Sequence, residues 1–315
     1  MARNDGFLAT IGHGALSALL WTLSRMPFRV LYFLSDVMCF VTHRVARYRL
    51  KVVRGNLADT FPGKSRAELR RIEKEFYLNL TDYFVETVKL NHISDSEVLK
   101  RFKFEDVDVV DRLLASDKSI VCYFAHCFNW EWATSITLWS RYRDDARVEF
   151  SQVYRPLKNK WFDAYFLRLR SRFDSVSYQK RSVLRDLLRL RRDGRLAVCG
   201  FMSDQKPSHG DPTHPMLFLG RPTAMITGTE TLARKLGMAA VYMDMYKLSR
   251  GHYKIKMRLL ADDASVLEPM ELTERYAGVL QHTIERNPAI WLWSHKRWRN
   301  PVVLPQKPLN DESGD

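Results

Sequence analysis

Two side chains that could together move a proton lie five positions apart where an apolar run stops. Ser119-Ile-Val-Cys-Tyr-Phe-Ala125 is followed by His126-Cys-Phe-Asn-Trp-Glu131. On one continuous helix His126 and Glu131 would point about 140° apart, since each residue turns about 100°. They can meet if His126 leaves the end of a strand and Glu131 occupies the first turn of the next helix, with Asn129 as its N-cap. A glutamate that accepts the imidazole Nδ1 proton leaves Nε2 free to take a proton from a hydroxyl, which is general-base chemistry. The helix dipole alone also favours a glutamate in a first turn, so the pair needs support from the rest of the chain.

The neighbouring thiol is a poor nucleophile candidate, because Cys127 and His126 on an extended segment point to opposite sides. The four cysteines, Cys39, Cys122, Cys127 and Cys199, form no CxxC pair. That usage fits a reducing compartment and argues against a disulfide framework or a zinc site. His209, Asp211 and His214 fall in the turn-rich stretch 206–215. Its prolines and the lack of a helix between these residues make a mobile loop at the site a better reading than a metal ligand set.

The elements that would carry these residues alternate. Ser65-Arg-Ala-Glu68 reads as a capping box opening a helix with Leu69, Ile72, Phe76, Leu80, Phe84 and Val88 on one face. Short strand-like runs follow at 120–124, 148–154, 196–201, 239–245 and 253–259, with helix-like stretches at 131–140, 159–172, 180–193 and 227–236. This pattern predicts an α/β layered fold with a mostly parallel central sheet flanked by helices. Sites in such sheets lie beyond the carboxyl ends of strands. The same rule brings in Arg155 after the second run, and Asp204 with Gln205 after the third. Arg155 could clamp a phosphate or carboxylate, and Asp204 could orient Arg155 or a substrate hydroxyl. The helix beginning at Thr227-Gly228-Thr229 could receive an anion on its free N–H groups.

The chain has 315 residues, with 50 Lys+Arg against 36 Asp+Glu, a formal net charge of +14. An excess of that size implies an acidic partner: an anionic membrane, an acidic protein or substrate, or nucleic acid. Phe7 to Ser24 contains no Asp, Glu, Lys or Arg, and a second apolar stretch, 30–42, ends in a basic cluster from His43 to Arg54. Eighteen residues reach the lower limit for a span of about 30 Å of hydrocarbon, while Arg25 and Pro27 suit a hinged hairpin lying in the bilayer surface. No small-residue cleavage site follows, so a removed signal peptide is not expected. Residues 1–50 are therefore read as membrane anchor or interfacial helices, 51–304 as the catalytic domain and 305–315 as a disordered polar tail. Near the carboxyl end, three tryptophans interleave with His295, Lys296, Arg297 and Arg299. That composition suits a lipid headgroup zone, with single-stranded nucleic acid as the rival partner.

In order along the chain, these pieces resemble the late acyltransferases of bacterial lipid A biosynthesis, the lauroyl/myristoyl transferase family. The likeness runs from about residue 20 to Pro301. It is carried by Arg54-Gly-Asn-Leu57 with Phe61-Pro62, an H-x4-D/E motif as His126…Glu131, Tyr154-Arg155-Pro156, Asp204-Gln205, the helix of Thr227-Gly228 and Leu232-Ala-Arg234, and Trp293-Ser-His-Lys-Arg297 with Pro301. Trp298 stands where the family pattern has Phe. The resemblance implies a glycerolipid-acyltransferase-like layered fold at the inner (cytoplasmic) membrane, with the catalytic domain facing the cytoplasm. It implies transfer of a fatty acyl group from acyl-acyl carrier protein, or acyl-CoA, to a hydroxyl of a lipid A precursor or related anionic glycolipid. The expected catalytic pair is His126 and Glu131, with Arg155, Asp204 and Gln205 on substrate. The partners would be acyl carrier protein, the membrane and its glycolipid, not nucleic acid, and no metal or bound cofactor is expected. Other acceptors, such as a phosphoinositide mannoside or an aminolipid, fit the same motifs. So does hydrolysis of the thioester, and a membrane or nucleic-acid binding protein without catalysis stands as the reading from another class.

Overall fold

The computed structural model describes residues 2–304, so the expected polar tail lies outside them. Helices α1 (Ala2–Arg25) and α2 (Phe28–Phe40) are separated at Met26-Pro27. Pro27 has no N–H to continue α1 and, at φ −58° and ψ 149°, stands at the N-cap of α2. A π-helical turn, Val41–Val45, leads to α3 (Leu50–Thr60) and α4 (Arg66–Lys89). The anticipated capping box opens α4: Ser65 Oγ accepts from the Glu68 N–H, and Glu68 returns a carboxylate oxygen to the Ser65 N–H at 2.8 Å.

Then follow α5 (Asp95–Arg101), β1 (Phe102–Glu105), α6 (Asp108–Ala115), β2 (Ile120–Phe124), a 3-10 segment (Trp130–Leu138), β3 (Val148–Tyr154), α7 (Lys160–Arg170), β4 (Val176–Gln179), α8 (Val183–Arg192) and β5 (Leu196–Met202). A hairpin of β6 (Thr213–Phe218) and β7 (Arg221–Ile226) precedes α9 (Gly228–Leu236), β8 (Ala239–Ser249), β9 (His252–Ala261) and α10 (Glu271–Arg286). Among the described residues the main sheet has seven strands in the order β1-β9-β8-β2-β5-β3-β4. Every neighbour pair is parallel except β8 and β9. That pair is joined through Arg250-Gly251, where φ is +73° and a Cβ would run into the Tyr32 hydroxyl, so glycine is required.

Two local expectations are corrected. The segment after His126 is a 3-10 helix, and Asn129 does not cap it; Asn129 is buried and donates instead to Glu86 Oε2 at 2.9 Å. The stretch 206–215 is not all loop: it runs into β6, which pairs antiparallel with β7.

The chain steps outward from β2 to β3 to β4, then back to β5 and β8. Right-handed crossovers therefore place the 3-10 segment and α7 over one face of the sheet, and α8 and α9 over the other. Contacts agree: Trp132 of the 3-10 segment packs on Phe28 and Phe102, while Tyr123 stacks on Tyr276 of α10 at 4.5 Å. The N-terminal helices α1 and α2 join the first face by docking on α4 and the turn after it through polar contacts, Ser24 with His92, Ser35 with Asp82 and Tyr32 with Glu86. Their other side is apolar and open to solvent: Phe33 and Phe40 are each more than 60 % exposed, alongside Leu19, Trp21 and Val37, and Val45 of the π-helical turn continues it. Among the described residues no helix is long and apolar enough to cross a membrane.

Glu86 ties these layers together. It is fully buried and accepts from Tyr32 of α2, Tyr253 of β9 and Asn129 beside the 3-10 segment. Burial, helped by nearby Asp82, pushes its carboxyl up to about 7. A carboxyl raised above its ordinary 4.5 holds its proton more tightly when folded. Its stabilising contribution is therefore whole below about pH 4.5 and lost as the pH climbs through about 7, by up to about 3 kcal/mol. Melting temperatures of the wild type should fall between pH 5 and pH 8 more steeply than those of Glu86→Gln; parallel curves would contradict this.

Candidate active site

β2 ends at Phe124, and the loop after it is fastened from behind. Tyr276 of α10 donates to the Phe124 carbonyl, the Phe128 N–H donates to the Ile290 carbonyl at 2.9 Å, and Cys127 bridges to Trp291. This holds His126 at the carboxyl edge of the sheet, beside the end of β5. There Asp204 takes both donors of His126: the backbone N–H at 3.0 Å and Nδ1 at 2.8 Å. The second carboxylate oxygen also accepts from Trp291 Nε1 at 2.9 Å. An ionised carboxylate only accepts, so Nδ1 carries a proton and Nε2 is the basic nitrogen. Burial alone would raise the Asp204 carboxyl, but His126 and the donors around it outweigh that and hold it at about 2.

The expected partner of His126 is therefore corrected. Glu131 does not hold the imidazole; it is buried and receives Arg170 in a two-point contact, Nε to Oε2 at 2.9 Å and Nη2 to Oε1 at 2.6 Å, with the Tyr83 hydroxyl as a third donor. An H-x4-E spacing would bring the two side chains together on a true α-helical first turn. Here the 3-10 segment and the buried Asn129 turn Glu131 toward α7 instead. Asp204 likewise does not orient Arg155, since its oxygens are occupied by His126 and Trp291; Arg155 is exposed and donates to Ser208 Oγ at 3.0 Å.

His126, Glu131, Arg155, Arg170 and Gln205 nevertheless line one cavity of about 560 Å³, a volume in the range of small-ligand sites. Asp204 stands behind His126. The mouth is polar, with Lys180 and Lys206 near Arg155. The interior is mostly apolar: Cys122, Phe150, Val198, Ala133 and Ile136 line it beside the buried Ser151, Gln152 and Ser175, and Gly200 leaves its wall free of a side chain. Val198 lies four residues before the end of β5, so the cavity reaches roughly 13 Å below the sheet edge at about 3.3 Å per residue. Burial pushes the Cys127 thiol well above its ordinary value, so it is not a thiolate nucleophile. Among the described residues no cluster of three His, Cys, Asp or Glu side chains could hold a metal ion; His214 pairs with Glu274.

Two of the three carboxyl-terminal tryptophans are not at the surface. Trp291 and Trp293 are buried, and Trp291 is part of the Asp204 hydrogen-bond set. Asn56 of α3 donates to the carbonyls of Trp293 and His295, and Arg49 to that of Ser294. Thus the Arg54-Gly-Asn-Leu57 stretch stitches this segment in place. Burial pushes the His295 imidazole down to about 4 against the pull of nearby Asp204. Nothing in the sequence singles out Arg170 or Tyr83, and Trp291 reads there only as one of the tryptophans suited to a headgroup zone. Arg170 reads there as one of several cations ending a helix, and nothing in its spacing marks it.

A histidine oriented by a buried carboxylate, opening on a long, mostly apolar cavity in a mostly parallel sheet, defines an α/β protein equipped for general-base chemistry. A family model described as bacterial lipid A biosynthesis acyltransferase matches residues 8–300. The chain belongs to that family and is an acyltransferase. Among its relatives are the lipid A biosynthesis palmitoleoyltransferase of Escherichia coli (strain K12) and a lipid A biosynthesis acyltransferase of Shigella flexneri. Each is 23 % identical over 289 residues, covering 90 % of this chain and 90 % of the relative.

Proposed function

We propose that the protein transfers a fatty acyl chain from a thioester donor, acyl-acyl carrier protein or acyl-CoA, to a hydroxyl of a lipid A precursor at the inner membrane. The observation that carries this reading is the His126–Asp204 pair at the polar mouth of a cavity whose interior is mostly apolar. The acyl chain would lie along Phe150 and Val198 with its thioester carbonyl at the mouth. His126 Nε2 takes the proton of the acceptor hydroxyl as the oxygen attacks that carbonyl. The new ester C–O bond forms, the C–S bond breaks, and the proton passes to the departing sulfur. Arg170, fixed by Glu131, supplies positive charge to the cavity as the carbonyl oxygen turns anionic. The apolar outer faces of α1 and α2, followed by the basic residues Arg44 and Arg47, suit attachment in the plane of an anionic bilayer.

The test is transfer by the purified protein from an acyl-carrier thioester to a lipid A precursor in vesicles, read by mass spectrometry. The expected product is the precursor plus one acyl chain. Free fatty acid as the sole product would make the protein a thioesterase instead. Cells lacking the gene should carry lipid A lighter by one acyl chain.

The cavity floor gives a second expected outcome. Val198→Phe fills the deep end, so preference for a short-chain over a long-chain donor should rise about tenfold or more while short-chain turnover persists. An unchanged chain-length profile in a folded variant would place the acyl chain elsewhere.

A further inference from the structure

α8 is two-faced. Val183, Leu187 and Leu190 are buried against the sheet, and Val183 together with the preceding Lys180 lines the cavity. The opposite side carries Arg185, Arg189 and Arg192 at helical spacing, extended by Arg181 in the turn before the helix, with Leu184 and Leu188 36 % and 43 % exposed between them. Residues 180–195 contain seven Lys or Arg against two Asp. Arg189 has Asp186 only at 4.0 Å, and Arg192 is paired with the adjacent Asp193. Among the described residues neither Arg181 nor Arg185 has an acidic partner. The helix and the turn before it thus present a row of outward cations, Arg181 and Arg185 without acidic partners, beside two bare leucines.

We propose that the outer face of α8 is the docking site for the acidic protein that delivers the acyl thioester, with an acidic amphipathic helix laid along Arg181, Leu184, Arg185 and Leu188. This rests on the acyl-transfer reading above and names where its donor binds. Three observations support it. The charge is complementary to an acidic helix, and the exposed leucines offer that helix an apolar contact. The start of α8 is a wall of the cavity, so a donor seated there holds its thioester arm at the mouth beside Lys180 and Arg155. Finally, α8 lies over the sheet face opposite α7 and the apolar α1–α2 pair, which leaves it free for a soluble partner while those helices meet lipid.

The experiment uses the full chain and the charge reversal Arg181→Glu/Arg185→Glu, with Leu184→Ser/Leu188→Ser as a second variant. Both change exposed side chains outside the catalytic pair. Binding of an acyl-acyl carrier protein is measured directly, and kcat/KM is compared for that donor and for the same acyl chain on free pantetheine. The expected result is binding and kcat/KM weakened about tenfold or more for the carrier donor, with the pantetheine donor unchanged and the wild-type dependence on salt flattened. Unchanged carrier binding overturns the proposal, and so does an equal loss with both donors. Loss of vesicle co-sedimentation without loss of carrier binding overturns it in favour of a membrane-facing α8. Should the wild type bind the carrier through α8 yet transfer no acyl group, the docking stands and the transfer reading falls.

Discussion

His126→Ala should leave at most about a hundredth of the wild-type transfer rate, because a positioned general base is worth roughly 10²–10⁴-fold. The fold should survive, since the imidazole is partly exposed at the cavity mouth and its loop is held by the carbonyls of Phe124 and Ile290 rather than by the ring. Asp204→Asn should approach the same loss by another route. An asparagine keeps one acceptor oxygen but presents an N–H₂ to a site where three donors converge, His126 N, His126 Nδ1 and Trp291 Nε1. The imidazole then gains by placing its proton on Nε2, the atom that must be free to accept. The two residues act as one device, so His126→Ala/Asp204→Asn should be no slower than His126→Ala alone. Single-turnover rates at saturating donor are the measurement, with KM for the donor staying within about twofold while kcat falls. A His126→Ala enzyme that keeps more than a tenth of the rate would remove the histidine from the chemistry.

The parts of this arrangement that could be read from the sequence are those fixed by local rules. The runs 120–124 and 148–154 are strands with the bounds their apolar, β-branched patterns indicate, and the capping box at Ser65 and Glu68 forms. The strand-end rule brought His126, Arg155, Asp204 and Gln205 to one edge, and there they are or line the cavity. What the sequence did not carry is which of several carboxylates meets the imidazole. Five-residue spacing made Glu131 the candidate, yet the contact is decided by Asp204, 78 positions away, through the parallel pairing of β2 with β5. The tryptophans 291 and 293 differ for a related reason: their interleaved cations suggest a surface, but Asn56 of α3 and Arg49 just before it fold that segment inward. Short edge strands β1 and β4, four residues each, are too brief to leave a periodic signal.

Glu131 supplies the sharpest separation between the two arrangements. If it steadied His126, then Glu131→Gln would behave like Asp204→Asn and couple energetically to His126. In the structure its oxygens belong to Arg170 and Tyr83, and Glu131 is 3 % exposed against 23 % for the Arg170 side chain. Removing one member of such a pair leaves the other charge poorly compensated, at a cost of about 3 kcal/mol. Glu131→Gln and Arg170→Gln should therefore each lower the midpoint of denaturant unfolding. Glu131→Gln/Arg170→Gln, with two neutral amides able to bond each other, should be less destabilised than the sum. A double-mutant cycle on unfolding free energy should return a coupling of about 1 kcal/mol or more between positions 131 and 170, and close to zero between 131 and 126. Activity should follow the same partition: Glu131→Gln slows transfer by loosening Arg170 and raises the donor KM, a change that Asp204→Asn does not make. Coupling of 131 to 126, with none to 170, would return Glu131 to the imidazole and assign Asp204 to holding the loop.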